Sequence, residues 1–167
     1  MPTKPVEHAV TIRPATPGDM EILGGFGALL VALHHELDAK RFIEPGKTTP
    51  QRYGHFLKSQ LAQPDVIVLV AEAQGRLIGY AYAASEGFDY MSLRGPAGLI
   101  HDLFVDPASR RRGIGRLLME AAMAGLKSMG CERFVLSTAH RNEAARNLFA
   151  AMGFRPTMVE MTREADT

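Results

Sequence analysis

Apolar positions recur along this chain with two periods, and the switches between them outline its elements. Val10-Thr11-Ile12-Arg13 alternates apolar and polar in the manner of a short strand. Thr16-Pro17-Gly18-Asp19 then reads as a helix start: Thr16 is the N-cap, Pro17 takes the first helical position, and Asp19 faces the positive end of the helix dipole. Ile22, Phe26, Leu29, Leu30, Leu33 and Leu37 follow at helical spacing. Pro45-Gly46 and Pro50 mark a loop, and residues 52–63 predict a second, shorter helix ended before Pro64. Val66-Ile67-Val68-Leu69-Val70-Ala71 is a continuous β-rich run, as expected of a strand covered on both faces. Gln74-Gly75 is a hairpin signal, with a partner strand over 77–85.

The second half alternates strands and helices. After a loop over 87–96 the pattern predicts a strand over 98–105, then a helix with Ile114, Leu117, Leu118, Ala121, Ala122 and Gly125 on one face, ending near Met129-Gly130. A strand over 133–137 precedes a helix capped by Asn142, with Ala145, Leu148, Phe149 and Met152 inward and Gly153 as its stop signal. A last strand is expected over 155–161. The class is α/β with a mixed sheet. Hairpins make its first half antiparallel, and the strand–helix–strand unit from 98 to 137 makes a later pair parallel.

Composition narrows the function classes. The 167 residues, with no repeat and no linker, point to one domain spanning 1–167 with its core over about 9–162. The single cysteine, Cys131, excludes an intramolecular disulfide and a cysteine-cluster metal site. Residues 1–10 lack the apolar core of a secretory signal and no apolar run approaches a membrane span, so a cytoplasmic protein is expected. A net charge of +1 argues against bulk binding to nucleic acid or an anionic membrane. Adjacent His34 and His35 point apart on a helix, unlike metal ligands at i and i+4, and no metal is expected.

The chemistry-bearing stretch is Arg110-Arg111-Arg112-Gly113-Ile114-Gly115, directly after Leu103-Phe104-Val105-Asp106-Pro107. A strand ends at a proline-marked turn, a basic glycine loop follows, and a helix begins. Bare amides and a helix N-terminus at the carboxyl end of a strand suit a phosphorylated ligand. The Gly-Lys-Ser/Thr of a nucleotide loop is absent, and Leu118 stands where a dinucleotide fingerprint needs its third glycine. What remains, Arg110-x-x-Gly113-x-Gly115, resembles the pyrophosphate signature of the GNAT superfamily of acyl-CoA-dependent N-acetyltransferases. The resemblance extends to the order of elements from about residue 9 to 162, to Val105-Asp106-Pro107, and to Asn142-Glu143-Ala144-Ala145-Arg146-Asn147-Leu148-Phe149 through Gly153-Phe154.

The resemblance implies a GNAT fold: a mixed sheet of about six to seven strands with a splayed parallel pair, flanked by about four helices. It implies acetyl-CoA as acyl donor. The pyrophosphate would lie on Arg110, Arg111, Arg112, Gly113, Ile114, Gly115 and Arg116, the pantetheine arm along the backbone of Leu103, Phe104 and Val105, and the closing helix would contribute Asn142, Ala145, Arg146 and Phe149. Asn142 has two readings, a ligand to the pantetheine amide or the cap of its own helix. The amide of Phe104 or Val105 would serve as oxyanion donor. An alkyl amine must lose its proton before attack. The candidate bases are His101, Asp102 and Glu86. Adjacent strand residues project to opposite faces, so regular alternation lets one of His101 and Asp102 face the cleft, unless a bulge intervenes. Relatives carry a tyrosine as leaving-group acid where this chain has Phe149; Tyr80, Tyr82, Tyr90, Ser137 and His140 are the substitutes.

The acceptor would be an amine on a small molecule or peptide, walled by residues 34–53 and 86–95. His34, His35, Glu36, Asp38, Glu44, Glu86 and Asp89 lie there, which fits a cationic amine or an ordinary solvated face. A second reading is a non-catalytic acyl-CoA-binding sensor. Members of the superfamily often form homodimers, and the sequence singles out no interface.

Overall fold

The structure of the protein, a computed structural model, describes residues 9–166. The ends of the expected domain, residues 1–8 and 167, lie outside it, as does most of the stretch read for a secretory signal. The elements are β1 (Thr11–Pro14), α1 (Met20–Leu37), α2 (Thr49–Gln60), β2 (Val66–Ala73), β3 (Arg76–Glu86), β4 (Ala97–Val105), α3 (Ile114–Ser128), β5 (Phe134–Leu136) and α4 (Glu143–Ala151), with single 3-10 turns at Pro17–Asp19 and Pro107–Ser109. Helix α2 starts three residues before its expected start. Pro50 sits in its first turn, where a missing N–H removes no helical hydrogen bond.

The sheet runs β1-β2-β3-β4-β5. Neighbours are antiparallel through β4, and β4 and β5 are parallel. The β2–β3 turn places Gln74 (φ 54°) and Gly75 (φ 70°) in the left-handed region, as a two-residue hairpin turn demands. The described residues hold five strands rather than six or seven. The expected last strand over 155–161 is absent from the sheet: a strand needs a neighbour to take its N–H and C=O groups, and none pairs with this segment. Met158, Val159 and Met161 are exposed there, and Glu160 is held by a bidentate ion pair with Arg41. No helix among the described residues is long and apolar enough to cross a membrane.

Each face of the sheet carries its own core. Ile78, Ala81, Ala83 and Ile100 pack against Ile114, Leu118, Met119, Ala122 and Leu126 of α3 and Phe149 of α4. Val68, Val70, Tyr80, Tyr82 and Phe104 pack against Met20, Leu23 and Leu57 of α1 and α2. The two helices on this second face cross unusually closely. A Cβ on Gly24 would lie 2.2 Å from the Pro50 carbonyl oxygen, and one on Gly54 2.6 Å from that of Met20. A Cβ on Gly27 would lie 2.1 Å from the ring of Tyr53, so Gly27 is the space Tyr53 occupies on its way toward the sheet.

A charged cluster fastens the entry to α1. Arg13 on β1 donates to Asp19 at 2.8 and 3.1 Å and to Glu72 on β2 at 2.8 Å, and Asp19 also accepts from the Thr16 amide at 2.8 Å and its hydroxyl at 3.0 Å. The Arg13 guanidinium, against the cost of burial and with help from Thr16, holds the Asp19 carboxyl down at about 2. Because this folded value lies below the unfolded one, the stabilisation is present above the ordinary carboxylate range and disappears as pH falls toward 2. Asp19→Asn is expected to cost on the order of 2 kcal/mol at pH 7. In urea unfolding, the difference from wild type should shrink between about pH 4 and pH 2.

Candidate functional site

The site is organised by a bulge in β4. Tyr82 of β3 pairs with Asp102 and Ala83 with Ile100, which leaves His101 as an extra residue. Before the bulge the Gly98 amide donates toward β5, to the Arg133 carbonyl at 2.9 Å; after it the Asp106 amide donates the other way, to Ile78 of β3 at 2.9 Å. With a two-residue period, the amides of Asp102 and Phe104 also turn to β3, and those of Leu103 and Val105 face the opposite edge. The Phe104 amide, one of two expected oxyanion donors, is thereby spent on the sheet, and Val105 retains a free one.

That opposite edge is open. Pairing between β4 and β5 runs from Gly98↔Phe134 to Ile100↔Leu136 and stops, while β4 continues to Val105. At the divergence Leu99, Ile100 and His101 face Val135, Leu136 and Ser137 across a cavity of about 100 Å³. A larger cavity of about 370 Å³ lies between α1 and the β2–β3 hairpin. Its charged wall is the Arg13–Asp19–Glu72 cluster with Arg76 and Asp106, and none of the bulge residues lines it.

The bulge turns both His101 and Asp102 to the α1–α2 face. His101 stacks on Tyr82, with ring centroids 5.0 Å apart, and its Nε2 lies 2.8 Å from Glu86 Oε1. Arg94 braces Glu86 from the other side at 3.3 Å. Asp102 Oδ2 accepts from the hydroxyls of Tyr53 at 2.5 Å and Tyr80 at 2.9 Å. Burial pushes the Asp102 carboxyl above its ordinary value, against the downward pull of the two phenol hydrogen bonds. Burial first, and the nearby Asp102 carboxyl second, push the Tyr53, Tyr80 and Tyr82 hydroxyls up, so these phenols remain donors at neutral pH. All three candidate bases therefore cluster where the end of β3 runs beside the middle of β4. They divide into a His101–Glu86 pair beside the open edge and a phenol-bound Asp102 one residue further along.

The basic loop begins where β4 ends. The Asp106 carboxylate accepts from the Ala108 amide at 3.1 Å and fixes the turn. Arg110 folds back, its Nε donating to the Val105 carbonyl at 3.0 Å. Arg111 (φ 63°) and Gly113 (φ 75°) both adopt left-handed backbone. Gly113 stands at the N-cap of α3 with no side chain to satisfy the first-turn amides, which leaves those of Ile114, Gly115 and Arg116 free for an anion. Arg111 and Arg112 are exposed, and Arg116 pairs with Glu120 at 3.6 Å. Gly115 admits the neighbouring helix: a Cβ there would lie 3.2 Å from Leu148 of α4.

On α4, Asn142 Oδ1 accepts from the Ala145 amide at 3.2 Å, so it caps its helix. Ala145 is half-buried, and Arg146 is exposed and donates to the His140 carbonyl at 3.0 Å. Phe149 is buried against Phe154 and brings no proton-bearing group. Tyr90 and His140 are exposed, and Ser137 lines the open edge. Cys131 is buried with its Sγ 3.3 Å from Ser85 Oγ. No group of three or more His, Cys, Asp or Glu among the described residues is disposed to hold a metal. Tyr53 is the site residue that sequence reasoning passed over. Its signal was indirect: glycines inside helical segments, Gly27 and Gly54, mark a close crossing that brings their aromatic neighbour against the sheet.

The arrangement offers a proton acceptor, a slot flanked by free strand amides and an anion-binding loop at the slot's end. A family model described as the acetyltransferase (GNAT) family matches residues 31–154. The chain is 32% identical over 99 residues to the uncharacterized N-acetyltransferase YhfO of Bacillus subtilis, covering 59% of this chain and 65% of that protein. It is 30% identical over 126 residues to an IAA acetyltransferase of Azospirillum brasilense, covering 75% and 76%. A solved structure of a predicted acetyltransferase with acetyl-CoA from Clostridium acetobutylicum superposes with a TM-score of 0.73 at 20% identity, over 92% of this chain and 96% of that one. The chain thus spans just under two thirds of the length of YhfO.

The half-buried Asp102 carboxylate carries a stability signature. A carboxyl whose value is raised on folding makes the fold less stable as pH rises through that value. Asp102 is surrounded by Tyr53, Tyr80, Tyr82, His101 and His34, and among the described residues no ion pair holds it. Asp102→Asn preserves an acceptor for both phenols and is expected to raise Tm at pH 7. Thermal melts should show that gain closing as pH falls below the ordinary carboxylate range.

Proposed function

The chain belongs to the acetyltransferase (GNAT) family, and on that premise we propose that it transfers an acetyl group from acetyl-CoA to a primary amine of a small molecule or peptide. The observation that carries this reading is the early end of β4–β5 pairing, at Ile100↔Leu136, with the left-handed Gly113 loop at the far end of the same strand. A slot bounded by unpaired backbone and ended by free helix amides fits a long amide-bearing arm terminating in a pyrophosphate. Acetyl-CoA supplies the reactive thioester. The free amides of Leu103 and Val105 give that arm hydrogen bonds, and the first-turn amides of α3, with Arg111 and Arg112 nearby, take the phosphates.

His101 is the base in this reading, because it lines the open edge and Asp102 does not. With its Nε2 proton donated to Glu86, the neutral ring presents Nδ1 as the acceptor for the amine proton. Glu86 fixes that tautomer and offsets the charge that His101 gains. An alkyl ammonium has a pKa near 10.4, so this deprotonation is the step that most needs help at neutral pH. The leaving thiolate takes its proton from solvent or from the attacking ammonium, since Phe149 has none to give. The buried Phe149 also favours a second reading, a non-catalytic acyl-CoA-binding sensor. Both readings bind coenzyme A, and only the enzyme releases thiol.

A screen of acetyl-CoA against polyamines, aminoglycosides, amino acids and N-terminal peptides should find amine-dependent thiol release; coenzyme A binding without release from any acceptor would favour the sensor. Gly113→Phe is expected to weaken coenzyme A binding more than tenfold by calorimetry, and the left-handed position itself should cost the fold only about 1–2 kcal/mol. His101→Ala should lower kcat on the order of 100-fold and leave coenzyme A affinity within about twofold.

A further inference from the structure

The β3–β4 loop, residues 87–96, is ordered without a core of its own. Its large apolar side chains, Phe88, Tyr90, Met91 and Leu93, are all exposed. Polar groups close the loop instead. Asp89 and Arg94 exchange backbone hydrogen bonds at 2.9 Å, and the Asp89 carboxylate accepts from the Met91 amide and the Ser92 hydroxyl. The Arg94 side chain, only 11% exposed, is turned inward. Its Nη1 donates to the Gly87 and Gly95 carbonyls at 3.3 and 2.9 Å, and its Nη2 to Glu86 Oε2 at 3.3 Å. Withdrawing a guanidinium from water is costly unless its donors are met, and Glu86 is the carboxylate that meets them.

Glu86 is thereby shared: Oε2 goes to Arg94, and Oε1 lies 2.8 Å from His101 Nε2. At 38% exposure the Glu86 side chain has room to turn toward water, and an anchor on its far oxygen removes that freedom. We infer that Arg94 is a positioning residue for the base: by holding one oxygen of Glu86 it sets the other against His101, and so decides which ring nitrogen carries the proton. An ionised carboxylate only accepts, so His101 donates from Nε2 and keeps Nδ1 open. Tyr82, stacked on the ring at 5.0 Å, limits its tilt and leaves the Glu86 contact to decide the tautomer. The β3–β4 loop is tied to the base through Arg94, not through apolar packing. The catalytic consequence rests on the acetyl-transfer reading; the tautomer does not.

Glu86→Gln separates this role from simple stapling of the loop. A primary amide has one accepting and one donating end. With Arg94 in place the amide oxygen faces the guanidinium, so the NH2 group faces His101 Nε2 and drives the ring to the Nδ1–H form, which has no Nδ1 lone pair for the amine proton. Adding Arg94→Met frees the amide to turn over and restores Nε2–H. Nitrogen-15 NMR of histidine-labelled protein at alkaline pH, where a free imidazole is neutral, reads the tautomer directly. The expected series is Nε2–H in wild type, Nδ1–H in Glu86→Gln and Nε2–H again in the double variant. Arg94→Lys, which still donates to the amide oxygen, should leave Glu86→Gln in the Nδ1–H form. Thiol release should follow the tautomer: kcat falls on the order of 100-fold in Glu86→Gln and recovers at least about tenfold on adding Arg94→Met, with KM for acetyl-CoA unchanged. Nε2–H retained in Glu86→Gln, or an Nδ1–H form that persists in the double variant, would overturn the inference. The single variant keeps Arg94 and carries the test alone should Arg94→Met fail to fold. The tautomer series without thiol release from any amine would support the linkage and remove the transfer reading; thiol release without the series would do the reverse.

Discussion

One extra residue in β4 determines most of what this site can do. Inserting His101 between the pairs Ala83↔Ile100 and Tyr82↔Asp102 shifts the parity of the strand. Before it the even-numbered amides, as at Gly98, serve β5, and after it the even-numbered amides, as at Asp106, serve β3; pairing with β5 ends where the bulge begins. The same shift carries two consecutive polar side chains to one face, which a regular strand does not allow. The open edge, the free amides of Leu103 and Val105 and the joint placement of His101 and Asp102 are thus consequences of a single backbone irregularity.

The α1–α2 face is built to receive what the bulge presents. Gly24, Gly27 and Gly54 let the two helices approach to backbone contact, and Tyr53 uses the space at Gly27 to reach Asp102. This arrangement trades stability for a poised group. The carboxyl is kept above its ordinary value by burial, partly relieved by two phenols and, to a smaller extent, by His101 and His34, and it forms no ion pair among the described residues. A core built for stability alone would place an apolar residue there. The Arg13–Asp19–Glu72 cluster shows the opposite balance: a carboxylate fully paired, held at about 2 and serving the fold.

The chemistry of the far end is carried by backbone more than by side chains. Left-handed turns at Arg111 and Gly113 expose the first amides of α3, and Arg110 is occupied by the Val105 carbonyl. Asn142 is similarly occupied in capping α4, and Phe149 is absorbed into the core. Family membership therefore coexists with a local departure: the position from which relatives are expected to supply an acid here packs against Phe154.

Element types, their order, the antiparallel-to-parallel change in the sheet and the glycine loop at the start of α3 were legible in the chain, because each depends on periodicity or local backbone preference over a few residues. The three candidate bases were also legible as residue types in one stretch of strand. Their relation was not. A bulge is a property of two strands in register, so nothing local to His101-Asp102 says that both face one side. The Tyr53–Asp102 contact joins residues 49 apart through a helix crossing. The segment over 155–161 shows the converse: its composition suits a strand, but strand formation requires a partner, and only the assembled sheet decides whether one is present. Sequence by itself determined the parts and the basic glycine loop. Register and packing, which are non-local, decided which groups meet, which amides stay free and which carboxylate is left without an ion pair among the described residues.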